Sequence, residues 1–229
     1  MPRLMRLVPL FLIGSLGIAP SSGAQWNPLN PVESFQKDCD EATIFLNSGA
    51  LRFQVCTDSM VRVLFSPERE FPKALDYVVI KSTWPKTPFD VTETAEAIFL
   101  TTAKLKLLVT KKDRVVVFYD SAGKKLAQED DRTLTAAEVN GEKTYHLERF
   151  TNMSDTQEAF YGLGQHQGGV WNWRGESVDI GQDNTNISVP LLLSSNGYCI
   201  FWNNPSRSLK LAGACRTGTT GKPYLRREG

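Results

Sequence analysis

The chain has 229 residues, 41% hydrophobic, 22% charged and 10% aromatic, with 26 Lys+Arg against 25 Asp+Glu. That composition excludes an intrinsically disordered chain, a collagen and a coiled coil, and a body of this length buries roughly 70% of its extended-chain surface in a real core. A formal net charge of +1 gives no broad field for DNA, RNA or anionic lipid, so no nucleic-acid partner is expected.

The N-terminus reads as an address. Arg3 and Arg6 precede a 12-residue apolar run, Leu7 to Ile18, and Ser22-Gly23-Ala24 supplies small residues for a signal peptidase. Twelve residues at about 1.5 Å each reach about 18 Å, short of the roughly 30 Å hydrocarbon core, so the run is a secretory signal peptide (1–24) and not an anchor. An exported protein, periplasmic or extracellular, is expected, with no membrane contact after cleavage. Residues 25–40 form a lead-in, and 41–229 are expected to fold as one domain.

From residue 41 onward the apolar spacing is mostly period two. Leu51, Phe53 and Val55 alternate with Arg52 and Gln54, and Leu105, Leu107 and Val109 alternate with Lys104 and Lys106. These are half-buried strands. Val61 to Phe65, Tyr77 to Ile80, Ala97 to Thr101, Arg114 to Tyr119, Thr144 to Phe150, Val189 to Leu193 and Tyr198 to Trp202 add β-branched or aromatic runs. Asn47-Ser48-Gly49, Ser121-Ala122-Gly123, Asn140-Gly141 and Asn196-Gly197 between them suit hairpin turns. No long stretch keeps a 3.6-residue apolar face, so the fold class is all-β, a sandwich. Pro67 to Pro72 and Trp84 to Pro88 are Pro-rich connections within it. The four cysteines, Cys39, Cys56, Cys199 and Cys215, contain no C-x-x-C, which disfavours zinc. Export allows disulfides, with Cys39–Cys56 and Cys199–Cys215 the simplest of three connectivities, and free thiols the alternative.

Candidate chemistry concentrates between Glu158 and Asn204. Tyr161-Gly162-Leu163-Gly164-Gln165-His166 is followed by Trp171, Trp173 and Arg174, then by Gln182-Asp183-Asn184-Thr185-Asn186. Flat aromatic faces cover the C–H face of a pyranose, and carboxylates and amides bond its hydroxyls in pairs, so Asp183, Asn184, Trp171 and Trp173 are candidate substrate-binding residues. The opposing reading makes the tryptophans core aromatics and the glycines turn residues. A dinucleotide fingerprint is absent, because Gly168 lies two positions beyond the third glycine's place and no helix follows. No G-x-S-x-G elbow supports a serine hydrolase. No cofactor and no metal are expected. Asn152-Met153-Ser154 and Asn186-Ile187-Ser188 fit glycosylation acceptors that matter only in a glycosylating host.

Four stretches in order carry a resemblance: Asp58 to Pro67 (DSMVRVLFSP), Leu100 to Glu129 with its TT, FYD and GKKL segments, Glu158 to Gly164 (EAFYGLG), and Ile187 to Asn204 (ISVPLLLSSNGYCIFWNN). Together they resemble the N-terminal domain of family 31 glycoside hydrolases, the α-glucosidase and α-xylosidase family. The resemblance implies a galactose-mutarotase-like β-sandwich that packs on a (β/α)8 barrel and lends one loop to the sugar subsite. It also implies that the barrel carries an Asp nucleophile and an Asp acid/base about 5 to 5.5 Å apart, the spacing of a retaining double displacement. The resemblance therefore places no catalytic residue in this chain, and it expects the barrel to follow Gly229. The implied partners are that barrel and an α-linked oligosaccharide, a xyloside or glucoside. The subsite loop corresponds to Gln182-Asp183-Asn184. Gln165-His166 depart from the family's Glu after Tyr-Gly-Leu-Gly. Two alternatives belong to other classes. A free-standing carbohydrate-binding module would need Trp171, Trp173 and Asp183 on one exposed face, and a mutarotase-like epimerase would need His166 and Glu158 in one pocket as acid and base.

Overall fold

A computed structural model describes residues 29–71, 78–81, 83–139, 141–152, 157–203, 208–211 and 214–221. The segment 1–24, expected to be a signal peptide, lies outside them. Among the described residues there is no helix, and so none long and apolar enough to cross a membrane. The fold is all-β.

Strands β1 (Val32–Lys37), β2 (Glu41–Leu46), β3 (Ala50–Thr57) and β4 (Met60–Ser66) form an antiparallel four-stranded meander. β1 falls in the stretch read as a lead-in, so the sheet begins ahead of residue 41. Asn47-Ser48 turns β2 into β3, and Gly49, at φ 84°, takes the left-handed conformation that glycine adopts without a Cβ penalty.

Next come β5 (Asp90–Glu93), β6 (Ala97–Thr101), β7 (Leu105–Thr110), β8 (Val116–Asp120), β9 (Lys125–Val139) and β10 (Glu142–Asn152). With β12 (Ser177–Ile180), β15 (Ser208–Leu211) and β16 (Ala214–Gly221) they build a nine-stranded sheet ordered β12-β15-β16-β10-β9-β8-β7-β6-β5. β11 (Phe160–Gln165), β13 (Ile187–Ser194) and β14 (Cys199–Phe201) form a third sheet, ordered β11-β13-β14.

Both smaller sheets pack on one face of the large one. The pairs Leu100↔Leu107, Leu107↔Phe118 and Phe118↔Ala127 run across β6 to β9 on a single face. Ile44, Leu46, Leu51, Phe53 and Val55 of the first sheet meet Ile98, Leu100, Leu107, Val109 and Val116 there. Phe160, Leu163, Trp173 and Leu192 meet Ala127, Val178 and Ile180 in a second core, and Phe118 borders both. A period-two apolar pattern on each strand is what lets two such sheets close over a dry layer.

Two expectations need correction. Val78 to Ile80 lie in irregular chain with Ile80 91% exposed, and Tyr77 lies outside the described residues. β-branched composition alone makes no strand where no ladder is formed. The run from Arg114 starts later, at Val116, because Arg114 sits at φ 55° in the turn. Of the two fates left open for the cysteines, Cys39, Cys56 and Cys199 take that of free thiols, and the Cys215 side chain lies outside the described residues.

Candidate functional site

The glycines of Tyr161-Gly162-Leu163-Gly164 shape the site. Gly162, Leu163 and Gly164 are left-handed in succession, at φ 89°, 65° and 100°, and the β11–β13 register shifts between Gly162 and Gly164. A Cβ at Gly162 would stand 2.5 Å from the Leu191 carbonyl oxygen, and one at Gly164 would overlap the Ile187 carbonyl and stand 2.8 Å from the Val189 nitrogen. Strand β13 thus passes closer than any side chain would allow. Leu163 holds its unfavourable φ because its side chain, 1% exposed, is locked in the second core.

Around this bulge the polar groups are used up locally. The Trp173 indole N–H donates to the Gly162 carbonyl at 3.1 Å. His166 Nε2 lies 2.8 Å from the Leu163 carbonyl, which can only accept, so Nε2 carries the proton; the ring meets Trp173 edge-on at 5.4 Å. Asn172 Oδ1 accepts the Phe160 and Arg174 N–H groups at 2.9 and 3.1 Å, and Arg174 Nη1 donates to the Glu158 carbonyl at 2.5 Å.

Beneath them Glu158 is buried, its Oε1 accepting from the Ser194 hydroxyl, while its Oε2 has no hydrogen-bond partner. The Tyr198 hydroxyl also bonds Glu158, and burial together with that carboxylate pushes the phenol well above its ordinary range.

The candidate sugar loop is a tight hairpin. Asp183 and Asn186 bridge each other, leaving Asn184-Thr185 at the tip. Its base is pinned twice: Gln182 Oε1 accepts the Ser188 N–H at 2.6 Å, and the Ser188 hydroxyl donates to the Gly181 carbonyl at 2.7 Å. Asn186 Oδ1 accepts the Gln167 N–H at 3.3 Å, which ties the loop to the turn after β11. Asp183 and Asn184 are exposed on this pinned frame. Gln182, Asn186 and Ser188 escaped the sequence reading as anchors, although the amide-rich Q-D-N-T-N-I-S run was the signal for them.

The two tryptophans part company. Trp171 is 83% exposed, with its ring 6.3 Å from Tyr161, whereas Trp173 is a core residue. The arrangement a free-standing binding module would need, both tryptophans on one exposed face, is not present. Nor do His166 and Glu158 form an acid/base pair: Glu158 bonds Ser194 and Tyr198 inside the core, and His166 bonds the Leu163 carbonyl. The described residues contain no cluster of three or more His, Cys, Asp or Glu able to hold a metal.

Beside the loop, the outward face of the third sheet is apolar. Alternation on β13 sends Ile187, Val189, Leu191 and Leu193 to one side, and the pairings Leu191↔Phe201 and Tyr161↔Leu193 add two aromatics. Ile187, Val189, Leu193 and Phe201 are all exposed.

Residues 50–209 match the model of the glycosyl hydrolase 31 N-terminal galactose mutarotase-like domain. An α-xylosidase of Saccharolobus solfataricus is 39% identical over 72 residues, 28% of this chain and 10% of that protein. Alpha-glucosidase 2 of Bacillus thermoamyloliquefaciens is 28% identical over 144 residues, 63% of this chain and 17% of that protein. Among solved structures, the family 31 α-xylosidase of Xanthomonas citri superposes with a TM-score of 0.70 at 28% identity, covering 76% of this chain and 19% of its own. The chain thus spans less than a fifth of each of these relatives. With the match over most of its length, and with the all-β sheets around the Tyr-Gly-Leu-Gly bulge, the chain belongs to the glycosyl hydrolase 31 N-terminal galactose mutarotase-like domain family.

Proposed function

We propose that the chain serves as the N-terminal domain of an exported, retaining α-glycosidase, an α-xylosidase or α-glucosidase, and that it shapes a sugar subsite without supplying the nucleophile or the acid/base. The observation that carries this reading is the pinned hairpin at 182–186, which presents Asp183 and Asn184 at the edge of an exposed apolar sheet face. A carboxylate and an amide on a rigid frame are suited to bonding adjacent sugar hydroxyls, and Trp171 offers an exposed ring nearby in sequence. The apolar face of Ile187, Val189, Leu193 and Phe201 is what a (β/α)8 barrel would cover. Glycosidase chemistry then belongs to two barrel carboxylates. Export rests on the 1–24 segment and its signal-peptide pattern.

Isothermal titration of the chain from Gln25 to Gly229 with xylose and glucose tests the loop. Binding abolished by the Asp183→Ala, Asn184→Ala double variant means that the sandwich recognises sugar by itself; no binding means that the loop works only against its barrel. Reading the gene beyond codon 229 tests the larger claim. A frame that closes there, with no barrel encoded, overturns it.

A further inference from the structure

A cleft opens beside Phe89, at the margin of the first core, where three stretches from different parts of the chain meet. Thr87-Pro88-Phe89-Asp90 leads into β5, Thr101-Thr102-Ala103 ends β6 and enters the β6–β7 turn, and Asp58 stands in the β3–β4 turn. Together they line a space of about 430 Å³, within the roughly 300–1,000 Å³ of small-molecule sites. The cleft shares no residue with the hairpin at 182–186.

Its walls are fixed to one another. The buried Thr102 hydroxyl donates to the Asp58 carbonyl at 2.6 Å and accepts the Leu105 N–H at 2.9 Å, which ties the β6–β7 turn to the β3–β4 turn. Lys104 Nζ adds an ion pair to Asp58 Oδ2 at 3.1 Å across the same seam. Lys37 holds the third wall, its Nζ donating to the Phe89 carbonyl at 2.7 Å and lying 4.7 Å from the centre of the Phe89 ring. A cleft whose walls are bonded before a ligand arrives loses little ordering entropy on binding.

The polar groups of the cleft define the ligand it suits. Asp90 and Thr101 are direct partners across the β5–β6 ladder, so their side chains leave the same face with Cβ atoms about 4.5–5.5 Å apart. An acceptor thus stands beside a hydroxyl that both donates and accepts. Asp58 supplies a second carboxylate, and Pro88, Phe89 and Ala103 supply an apolar lining. Each carboxylate already has a lysine, Lys104 at 3.1 Å for Asp58 and Lys37 at 3.9 Å for Asp90, so two negative charges are matched by two positive ones. A space with its charges balanced does not concentrate free cations or anions. Acceptors, a hydroxyl and apolar surface around it suit a neutral ligand with many hydroxyls and a C–H face. We propose that the cleft between Asp58, Asp90 and Thr101 binds a neutral saccharide, whether or not the 182–186 hairpin does so. Asp90 and Thr101 bond neighbouring hydroxyls, and Asp58 accepts from a third.

The test titrates the full chain with maltose and, separately, with xylose, followed by amide proton–nitrogen correlation NMR. The amides of Asp58, Asp90, Thr101 and Ala103 should shift saturably with at least one sugar, with a Kd on the order of 1 mM. Asp90→Ala, at a side chain 88% exposed, leaves the core alone and should weaken binding about tenfold, and Thr101→Val, which keeps the shape and removes the hydroxyl, about fivefold. The Asp183→Ala, Asn184→Ala chain should keep the cleft shifts. Spermidine and inorganic phosphate, as charged probes, should leave the same amides unmoved. Four amides that respond to neither sugar, equal affinity in Asp90→Ala and the wild type, loss of the cleft shifts in the hairpin variant, or a response to spermidine or phosphate that exceeds the response to sugar each overturns the proposal. Sugar shifts confined to 182–186 overturn it as well, while sustaining the hairpin reading. The wild-type shifts locate the site by themselves, so a variant that folds poorly leaves the result readable.

Discussion

The half of the molecule between β1–β4 and β6–β8 is built from apolar side chains on regular ladders, whereas the half beneath β11, β13 and β14 buries a carboxylate, a hydroxyl and an indole N–H among its aromatics. In the first, shape follows from a repeating pattern, and neighbouring contacts can share a perturbation. In the second, shape follows from single atoms: the absent Cβ of Gly164, the Gly162 carbonyl that holds Trp173, and the Glu158 oxygen that holds Ser194. The second half also carries the candidate sugar loop and the exposed apolar face. Regular packing supplies stability here, and local exceptions supply the surface.

Two substitutions break this comparison most directly. Phe53, 1% exposed at the centre of the first core, should lose about 3–5 kcal/mol on truncation to Ala, read as a lower urea midpoint for the whole chain. Gly164→Ala should cost about 3 kcal/mol, from left-handed backbone strain plus the overlap with the Ile187 carbonyl. Its effect should be local, with faster amide exchange in β11 and β13 ahead of β2 and β3. Equal loosening in both halves would show that the two cores unfold as one unit.

How legible each half was in the sequence follows the same division. Ala50–Thr57 and Leu105–Thr110 could be read from alternation because each faces the core on one side only. β9 could not, since the four consecutive charges Glu129-Asp130-Asp131-Arg132 break the period-two alternation. In the fold Arg132 is 5% exposed, bonds Glu129 and lies 4.7 Å from the Phe65 ring, so a buried charge interrupts the pattern without interrupting the strand. In the site, Asp183 and Asn184 were legible as a polar loop, and the structure puts them on a pinned hairpin. Trp171 and Trp173 were not separable, because residue type does not say which of two neighbouring indoles turns inward. That choice is made by the Gly162 carbonyl, which the bulge points at Trp173.

The smallest expected effect sharpens the comparison by asking what the polar groups of the second half contribute. Tyr198→Phe keeps the ring and removes one donor from buried Glu158, so a loss of about 1–2 kcal/mol is expected at neutral pH. Alkaline titration separates this from a packing defect. Burial and Glu158 raise the Tyr198 phenol in the fold, whereas the unfolded phenol titrates near pH 10. Above pH 10 the native chain binds more protons at this site than the unfolded one, so the slope of unfolding free energy against pH is negative. The contribution is complete below pH 10 and is lost as pH climbs beyond it. Urea midpoints of the wild type should therefore fall more steeply between pH 10 and 11 than those of Tyr198→Phe, and the two curves should converge. Parallel curves would mean that the hydroxyl is free to ionise in the fold and that Glu158 depends on Ser194 alone.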